Sequence, residues 1–268
     1  DGSGYSPSRE LAHHFTFGSI TDYEDVYYFG KGKDVLTIEI ENVNVEALYQ
    51  LEKEGVKVFP QPRIIEMVQD KGLQKQFYKD NDIATAPFFL IENRNEISSY
   101  ITEIPFMQKI RKGGYDGKGV TPIKCEDDIQ NGFDAPSVLE KFVDFEKELS
   151  VIVARNEKGE VSSFPVVEQE FNSEANLVEF LISPANVNAD IEEKSRLIAE
   201  KIITKLEMVG ILAVELFLTK DGDILVNEIA PRPHNSGHQT IEGNITSQYE
   251  QHLRSILNLP LGSTDLVE

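Results

Sequence analysis

Two glutamates, Glu215 and Glu228, lie on the two arms of one apolar segment, "ILAVELFLTKDGDILVNEIA". Its centre, Asp221-Gly222, is the kind of pair that a tight hairpin turn favours. Folding the segment there pairs Phe217 with Val226 and sets Glu215 opposite Glu228 on one sheet face. Like charges placed directly opposite each other repel, and apolar neighbours raise the cost by withdrawing water. A cation between the carboxylates removes the conflict. Mg2+ is a hard ion that takes one or two carboxylates and keeps positions open for phosphate oxygens. Asn227 points to the other face of an ideal strand, but a bulge near the strand end brings its amide oxygen toward the metal. Neutralising Glu228 is expected to relieve the repulsion.

Two further stretches carry chemistry. "IAPRPHNSGH" follows Glu228 directly, and its Arg232 is placed to hold a phosphoryl oxygen. His234 and His238 have a zinc-like spacing that suits a helix, but Pro, Ser and Gly make the stretch a loop and no third ligand stands out. "QKIRKGGYDGKGV", Gln108 to Val120, packs four basic residues and four glycines into a chain of net charge −20. Glycines let backbone N–H groups approach phosphate oxygens, and Lys and Arg neutralise the charge. A P-loop is excluded, because its first Gly falls on Lys112 and its Ser/Thr on Gly119. A mobile phosphate-covering flap and a solvated hairpin loop both remain open from this stretch alone; the carboxylate hairpin favours the flap.

The elements that must position these residues belong to a chain of 268 residues, 40% hydrophobic and 27% charged. That is ordinary for a globular protein and long enough for more than one domain. The acidic surface argues against nucleic acid and anionic membranes as partners. One cysteine, Cys125, excludes an intrachain disulfide and fits a reduced, cytoplasmic setting. No base lies near it in sequence, so it reads as a non-catalytic thiol. No apolar run approaches the ~18 residues of a membrane span. The opening "DGSGYSPSRE" lacks the pattern of a signal peptide. "DVLTIEIENV" (34–43) predicts a buried strand. "NVEALYQLEKEG" predicts a helix with Val45, Leu48 and Leu51 on one face and Gly55 as its stop, and "VKVFP" predicts a strand. Two prolines in "FPQPRII" predict a boundary near residue 60. The stretch "RIIEMVQDKGLQKQFYKDN" is amphipathic. "IPFMQKI", "GVTPIK", "SVLEKFV" and "KELSVIVARN" predict strands. "DIEEKSRLIAEKIITKLEMVG" predicts a helix capped by Asp190 and ended by Gly210, with Ile191, Leu197, Ile198, Ile202, Leu206 and Val209 on its apolar face. The fold class is α/β and α+β, with sheets built largely from hairpins.

Together these residues resemble the ATP-grasp ligases: a basic glycine-rich flap, a "VLEKFV" strand, a later Glu, and a Glu…Asn-Glu hairpin. "KIRKGGYDGKG" followed by "NEIAPRPHNSGHQT" is similar to the 5-(carboxyamino)imidazole ribonucleotide synthase family, as are "TIEIENV" and "QYEQHLRSILNLPLG". The resemblance covers nearly the whole chain. The sister family, formate-dependent glycinamide ribonucleotide transformylase, shares the hinge, the hairpin and "PRPH". It has Asp where Asn235 stands and a Ser-rich flap. Three departures stand out. The family's first strand and glycine-rich turn, and most of its C-terminal domain, are not in this sequence. Many relatives also carry a His close to Phe171. The resemblance implies an ATP-grasp fold with a truncated Rossmann-like pre-ATP-grasp domain at 1–60, an ATP-grasp domain at 61–258 with a lid at about 86–143, and the start of a C-terminal domain at 259–268.

The activity implied is ATP- and bicarbonate-dependent carboxylation of 5-aminoimidazole ribonucleotide, by a homodimer. Mg2+ would sit on Glu215 and Glu228, with Asn227 beside them. Lys71 and Lys109 would hold the α/β-phosphates, and Arg232, His234, Asn235 and Lys109 would be the catalytic residues. The flap Gly113, Gly114, Tyr115, Asp116, Gly117, Lys118 and Gly119 would close over ATP. The Glu140-Lys141-Phe142-Val143 strand would meet adenine, through the backbone of Lys141 and Val143, and Glu148 the ribose. Arg232, His234, Asn235 and Ser236 would line the bicarbonate and aminoimidazole pocket, with Tyr115 and Asp116 reaching it on closure. Glu39, with Glu41 as its rival, would meet the ribonucleotide. A formyl-transferring sister ligase and a non-catalytic ATP-binding module are the alternatives.

Overall fold

A computed structural model of the protein describes residues 2–3, 5–114, 118–172 and 177–267. The expectations for Tyr115, Asp116 and Gly117, and for the side chain of Phe171, lie outside the described residues.

The N-terminal region alternates helix and strand. Helix α1 (Tyr23–Gly30) starts at Asp22, whose carboxylate accepts the Asp25 N–H. It is followed by β1 (Val35–Thr37), α2 (Val45–Lys53) and β2 (Lys57–Phe59). β1 and β2 pair in parallel, as a strand–helix–strand unit requires. β1 is shorter than the predicted 34–43 strand, because the chain leaves the sheet after Thr37 and carries Glu39 and Glu41 away as irregular backbone. Leu36, Leu48, Leu51, Val58 and Ile65 form the core of this region. α1 and α2 approach so closely that a Cβ on Gly30 would lie 2.4 Å from Leu51 Cδ1.

The amphipathic stretch after Pro60 divides into α3 (Pro62–Val68) and α4 (Lys71–Asp80). The break is Asp70, which caps α4 by accepting the Gly72 and Leu73 N–H groups. Next come β3 (Phe88–Ile91), β4 (Phe106–Ile110), β5 (Val120–Ile123) and β6 (Ser137–Lys141), which form an antiparallel sheet in the order β3-β6-β4-β5. Ile91, Ile97, Phe106, Ile123 and Leu139 give it a separate core.

The second half supplies β7 (Phe145–Arg155), β8 (Val161–Ser163), β9 (Val167–Asn172), β10 (Leu177–Ile182), α5 (Ala189–Lys205), β11 (Gly210–Thr219), β12 (Ile224–Ala230), α6 (Thr240–Gly243) and α7 (Gln248–Ile256). Their sheet runs β10-β9-β7-β11-β12, with β8 also on β7. α5 covers one face through Ile191, Ala199, Ile202, Ile203 and Leu206. Three details of α5 differ from expectation. Asn188 caps it, accepting the Ile191 N–H, whereas Asp190 lies inside and pairs with Lys194. Leu197 is half exposed. Gly210 does not end the helix but opens β11, at φ +122°. Among the described residues no helix is long and apolar enough to cross a membrane.

The two-stranded sheet is tied to the large one through α7. His252 Nε2 shares a 2.7 Å hydrogen bond with Thr37 Oγ1, while its Nδ1 is buried without a hydrogen-bond partner. Burial pushes its pKa down to about 4. A depressed folded value means that the fold holds the neutral ring. That contribution is present above the unfolded value of 6.5 and is lost as pH falls toward about 4. Wild-type stability should therefore drop across this window, by up to ~1.4 kcal/mol per pH unit for each such histidine. His252→Gln, which keeps a partner for Thr37, should show a shallower drop in urea denaturation between neutral and mildly acidic pH. Equal slopes for the two proteins would contradict this account.

Candidate active site

The β11–β12 hairpin turns through Lys220-Asp221-Gly222, with Gly222 at φ +84° and the Thr219 N–H bonded to the Asp223 carbonyl. Its register shifts once. Ala213 pairs with Ala230 and Val214 with Ile229, but Leu216 pairs with Val226 and Phe217 with Leu225. The expected Phe217–Val226 pair is thus off by one residue. A bulge absorbs the difference and leaves Glu215 alone facing both Asn227 and Glu228. The cause lies on the opposite face. Val214, Leu216, Leu218, Ile224, Val226 and Ile229 all belong to the main core, and only an extra residue in β12 lets every one of them face inward. On its other side Glu215 pairs with Ser150 and Phe217 with Glu148, so Glu148, Ser150 and Glu215 share one face of the sheet.

The two acids of the hairpin are not equivalent. Burial, then the charge of Glu228, then that of Glu148 push the Glu215 carboxyl far above the usual carboxylate range. Burial also works against the Glu228 carboxylate, but Lys71 outweighs it and holds the pKa below normal. Lys71 Nζ lies 2.7 Å from Glu228 Oε2. Glu148 is pushed up to about 7 by burial, against the pull of Lys109.

The cations come from outside this sheet. Lys71 is the first residue of α4, and Lys75 follows one turn later on the same side. Lys109 stands on β4, 3.4 Å from Asn227 Oδ1. Between the lysines lies Glu140 of β6. Lys75 Nζ is 2.9 Å from one of its oxygens and Lys109 Nζ is 3.0 Å from the other. Burial pushes Glu140 up and Lys109 and Lys75 more than offset it, while Lys75 itself is held down by burial. Lys75 also donates to Thr85 Oγ1 at 2.6 Å, and Thr85 donates to the Val226 carbonyl at 2.7 Å, beside the bulge.

The donor set fits a hard cation. Glu215, Glu228 and the Asn227 amide offer only oxygen, and Glu215 is an acid that a positive charge would stabilise. Among the described residues no three His, Cys, Asp or Glu side chains converge as a cage. A half-shell of two carboxylates suits Mg2+ that keeps positions for phosphate oxygens and water.

The glycine-rich stretch is the β4–β5 hairpin loop, closed by the Ile110 N–H to the Gly119 carbonyl. Gly113 and Gly119 sit at φ +78° and +77°. A Cβ on Gly114 would lie 2.9 Å from the Lys118 carbonyl oxygen. The base of the loop is anchored by Arg111, whose Nε and Nη2 each lie 2.8 Å from an Asp70 oxygen.

Past β12, Arg232 grips Glu41 in a two-pronged ion pair. Glu39, expected to meet the ribonucleotide, is exposed and adds charge near Arg232, while its rival Glu41 is taken up by the arginine. His234 Nε2 is 3.5 Å from Glu215 Oε1, which brings "PRPH" to the carboxylates. Asn235 is exposed and its Oδ1 accepts the Ser236 N–H. Ser236, expected to line the pocket, is fully buried and faces His234 and Ser150 instead. On the strand expected to meet adenine, the Lys141 N–H is taken by the Pro87 carbonyl, and the Lys141 ammonium pairs with Glu103. Phe142 is exposed, and Phe145 stacks on Phe217 with centroids 4.7 Å apart. His238 is exposed and stacks on Tyr249, away from any metal role.

Sequence reading missed Lys75, Ser150 and the Asp70–Arg111 clamp. Helical spacing from Lys71 is a signal that reaches Lys75. Ser150 has no such signal, since only the pairing of β7 with β11 brings it to Glu215. Lys75 is testable by stability. Lys75→Met keeps the volume and leaves buried Glu140 with one lysine, which should cost about 3 kcal/mol in urea denaturation. Adding Glu140→Gln should recover most of that loss. A cost below about 0.5 kcal/mol for Lys75→Met would show that Lys109 alone neutralises Glu140.

Comparisons with known proteins place the chain in a family. Residues 76–249 match the ATP-grasp domain, and residues 1–69 match the ribonucleotide synthetase preATP-grasp domain. The chain is 41% identical over 266 residues to the chloroplastic phosphoribosylaminoimidazole carboxylase of Vigna aconitifolia, covering 97% of this chain and 47% of the relative. It therefore spans about half the length of that curated relative. The crystal structure of N5-carboxyaminoimidazole ribonucleotide synthetase from Thermotoga maritima matches with a TM-score of 0.89 at 44% identity, over 98% of this chain and 69% of that one. The Aspergillus clavatus N5-carboxyaminoimidazole synthase, solved with ADP and 5-aminoimidazole ribonucleotide, matches with a TM-score of 0.90 at 33% identity, over 98% and 70%. With two family models matching in succession and relatives above 30% identity aligned over nearly all of its length, the chain belongs to the N5-carboxyaminoimidazole ribonucleotide synthase family of ATP-grasp proteins.

Proposed function

We propose that this protein, as a cytoplasmic homodimer, uses ATP and bicarbonate to carboxylate the amine of 5-aminoimidazole ribonucleotide. The observation that carries the reading is the bulge at Glu215. It sets the phosphate-type groups (Glu228 with Lys71, Asn227 with Lys109) beside Glu215, whose carboxylate lies 3.5 Å from His234 of the oxyanion-type stretch that also carries Arg232. The dimer and the setting rest on the family resemblance and the single cysteine. Residues 61–258 would handle nucleotide, with 86–143 as the lid and 1–60 as a partial pre-ATP-grasp domain.

Phosphoryl transfer from ATP to bicarbonate needs positioning and charge neutralisation more than covalent help. Lys71 and Lys109 would leave their present acids for phosphate oxygens, which exchanges one anion for another at little electrostatic cost. Glu215 and Glu228 would hold Mg2+, which when bound would neutralise charge on the phosphates. Gly113, Gly114 and Gly119 would let the loop backbone close on the nucleotide and exclude water. Glu148 would accept from ribose hydroxyls, and Phe142 with the 140–143 backbone would border the base. Arg232 would bind bicarbonate oxygen once it exchanges Glu41 for that anion, with His234 beside it. Glu39, Tyr115, Asp116 and Asn235 stay assigned to the ribonucleotide side.

The full-length protein should release phosphate from ATP only with Mg2+ and bicarbonate present, and fastest with 5-aminoimidazole ribonucleotide. Turnover driven instead by formate and glycinamide ribonucleotide would make it a formyl-transferring ligase. No turnover with either pair, alongside retained ATP binding, would make it a nucleotide-binding module.

The two hairpin acids should separate in a paired assay. Glu215→Gln removes an acid that already resists ionisation, so the nucleotide-free melting temperature should rise. Glu228→Gln strands Lys71, so the melting temperature should fall, contrary to the relief expected from the sequence. Both should lower turnover on the order of 10²-fold or more. A Glu215→Gln protein that turns over normally would remove Glu215 from the metal site.

A further inference from the structure

Behind His234 runs a chain of hydroxyl contacts that the scheme above leaves unused. Ser150 Oγ and Ser236 Oγ are 2.8 Å apart, and Ser236 Oγ is 2.8 Å from His234 Nδ1. Both serines are fully buried. The Ser236 backbone N–H is shared between Asn235 Oδ1, at 2.9 Å, and the same ring nitrogen, at 3.3 Å. A backbone N–H can only donate, so Nδ1 is the acceptor, and a neutral ring then carries its proton on Nε2. The hydroxyls fall into one direction as a result. Ser150 donates to Ser236, and Ser236 donates to His234.

The rest of the loop holds the ring in that orientation. The His234 N–H donates to Gln248 Oε1 at 2.9 Å, and the His234 carbonyl accepts from Gln248 Nε2 at 2.8 Å. Gln248 is fully buried and passes so near Gly237 that a Cβ there would lie 2.6 Å from its Oε1. The free edge of the ring, Nε2, is the edge turned toward Glu215. Ser150 reaches this network because it is the cross-strand neighbour of Glu215. The strand that seats the hairpin acid also seats the far end of the relay.

We propose that Ser150 and Ser236 are positioning residues that lock His234 as the Nε2–H tautomer, so that the ring offers a neutral hydrogen-bond donor to the oxyanion of the one-carbon substrate. The oxyanion clause rests on the function proposed above; the tautomer does not. The assignment has a chemical consequence. A ring protonated on Nε2 has no lone pair there, so the edge turned toward Glu215 donates and does not accept. At that edge His234 orients oxygen, and it is not the base.

The test begins with long-range 1H–15N correlation spectra of the full-length protein, with the His234 signals assigned by their loss in His234→Gln. The Nε2–H pattern is expected, and the Nδ1–H pattern overturns the proposal. Ser236→Ala should shift the ring toward a mixture of tautomers and raise the bicarbonate KM roughly 5–10-fold, with a smaller change in kcat. Ser150→Ala should act in the same direction but less. Spectra unchanged in both serine variants would remove the serines from the role. Should Ser236→Ala fail to fold, His234 itself still decides. A Gln amide places N–H near the Nε2 position and an Asn amide near Nδ1, so His234→Gln should retain more turnover than His234→Asn, and the reverse order overturns the proposal. If turnover never depends on bicarbonate, the proposed function fails while the spectra still decide the tautomer.

Discussion

Glu140, Glu148, Glu215 and Glu228 are gathered into one cleft of a protein whose formal net charge is already −20. Assembling so much negative charge is unfavourable unless cations are delivered to it, and the sheet that carries Glu148, Glu215 and Glu228 supplies too few. They come from α4 and from β4 of the four-stranded sheet. Lys71 and Lys75 stand on α4, which packs on the main core through Tyr78 and links Glu228 of the large sheet to Glu140 of the four-stranded sheet, while Lys109 pairs with Glu140 inside the four-stranded sheet and reaches Asn227 of the large one. Apolar packing builds the core of each sheet, and charge pairing bridges them. Asp70 adds a second tie, since one carboxylate both caps α4 and grips Arg111 at the base of the glycine-rich loop.

The neutralisation is uneven. Among the described residues Glu140 is paired with two lysines and Glu228 with one, whereas Glu215 has His234 at 3.5 Å and feels Lys71 and Lys109 from further off. Glu215 is therefore the acid that gains most from a bound cation, whereas Glu228 has a working partner to surrender. That difference makes the two hairpin acids distinguishable although they share a bulge. It also explains how lysines can be both structural and available: each pair persists until a more highly charged anion competes for the ammonium.

Much of this was legible in the sequence because it is local. The hairpin turn, the glycine-rich loop, most strands and the long helix announce themselves by composition and period. Even the bulge left a trace, as Asn227-Glu228 is a polar doublet inside an alternating apolar strand. What escaped was set by distant pairing. The Arg232–Glu41 pair had no signal in the sequence, because it depends on where the chain leaves β1, and β1 ends early. Asn188 rather than Asp190 caps α5 because an extended backbone, not the acid nearest the apolar run, decides the start. Ser150 and Ser236 look like filler in their own segments. They become partners only when β7 lies beside β11 and the loop after β12 folds back over it.

The bulge at Glu215 also bears on how such a chain can change by inheritance. A strand is read in steps of two, so inside and outside are a matter of odd and even. One surplus residue in β12 lets Ile224 and Val226 keep the parity of the core before the irregularity while Ile229 keeps it after. Deleting Asn227 alone would restore an unbroken ladder and leave each of these hydrophobic residues facing inward. A single-codon loss in a strand with one core-facing side ordinarily turns the residues beyond it inside out. Here one such loss would leave the core-facing residues in place, remove the Asn227 amide and set Glu215 directly opposite Glu228. The architecture is thus open, through a single deletion, to descendants that keep the fold and the acid pair and have given up the third oxygen donor.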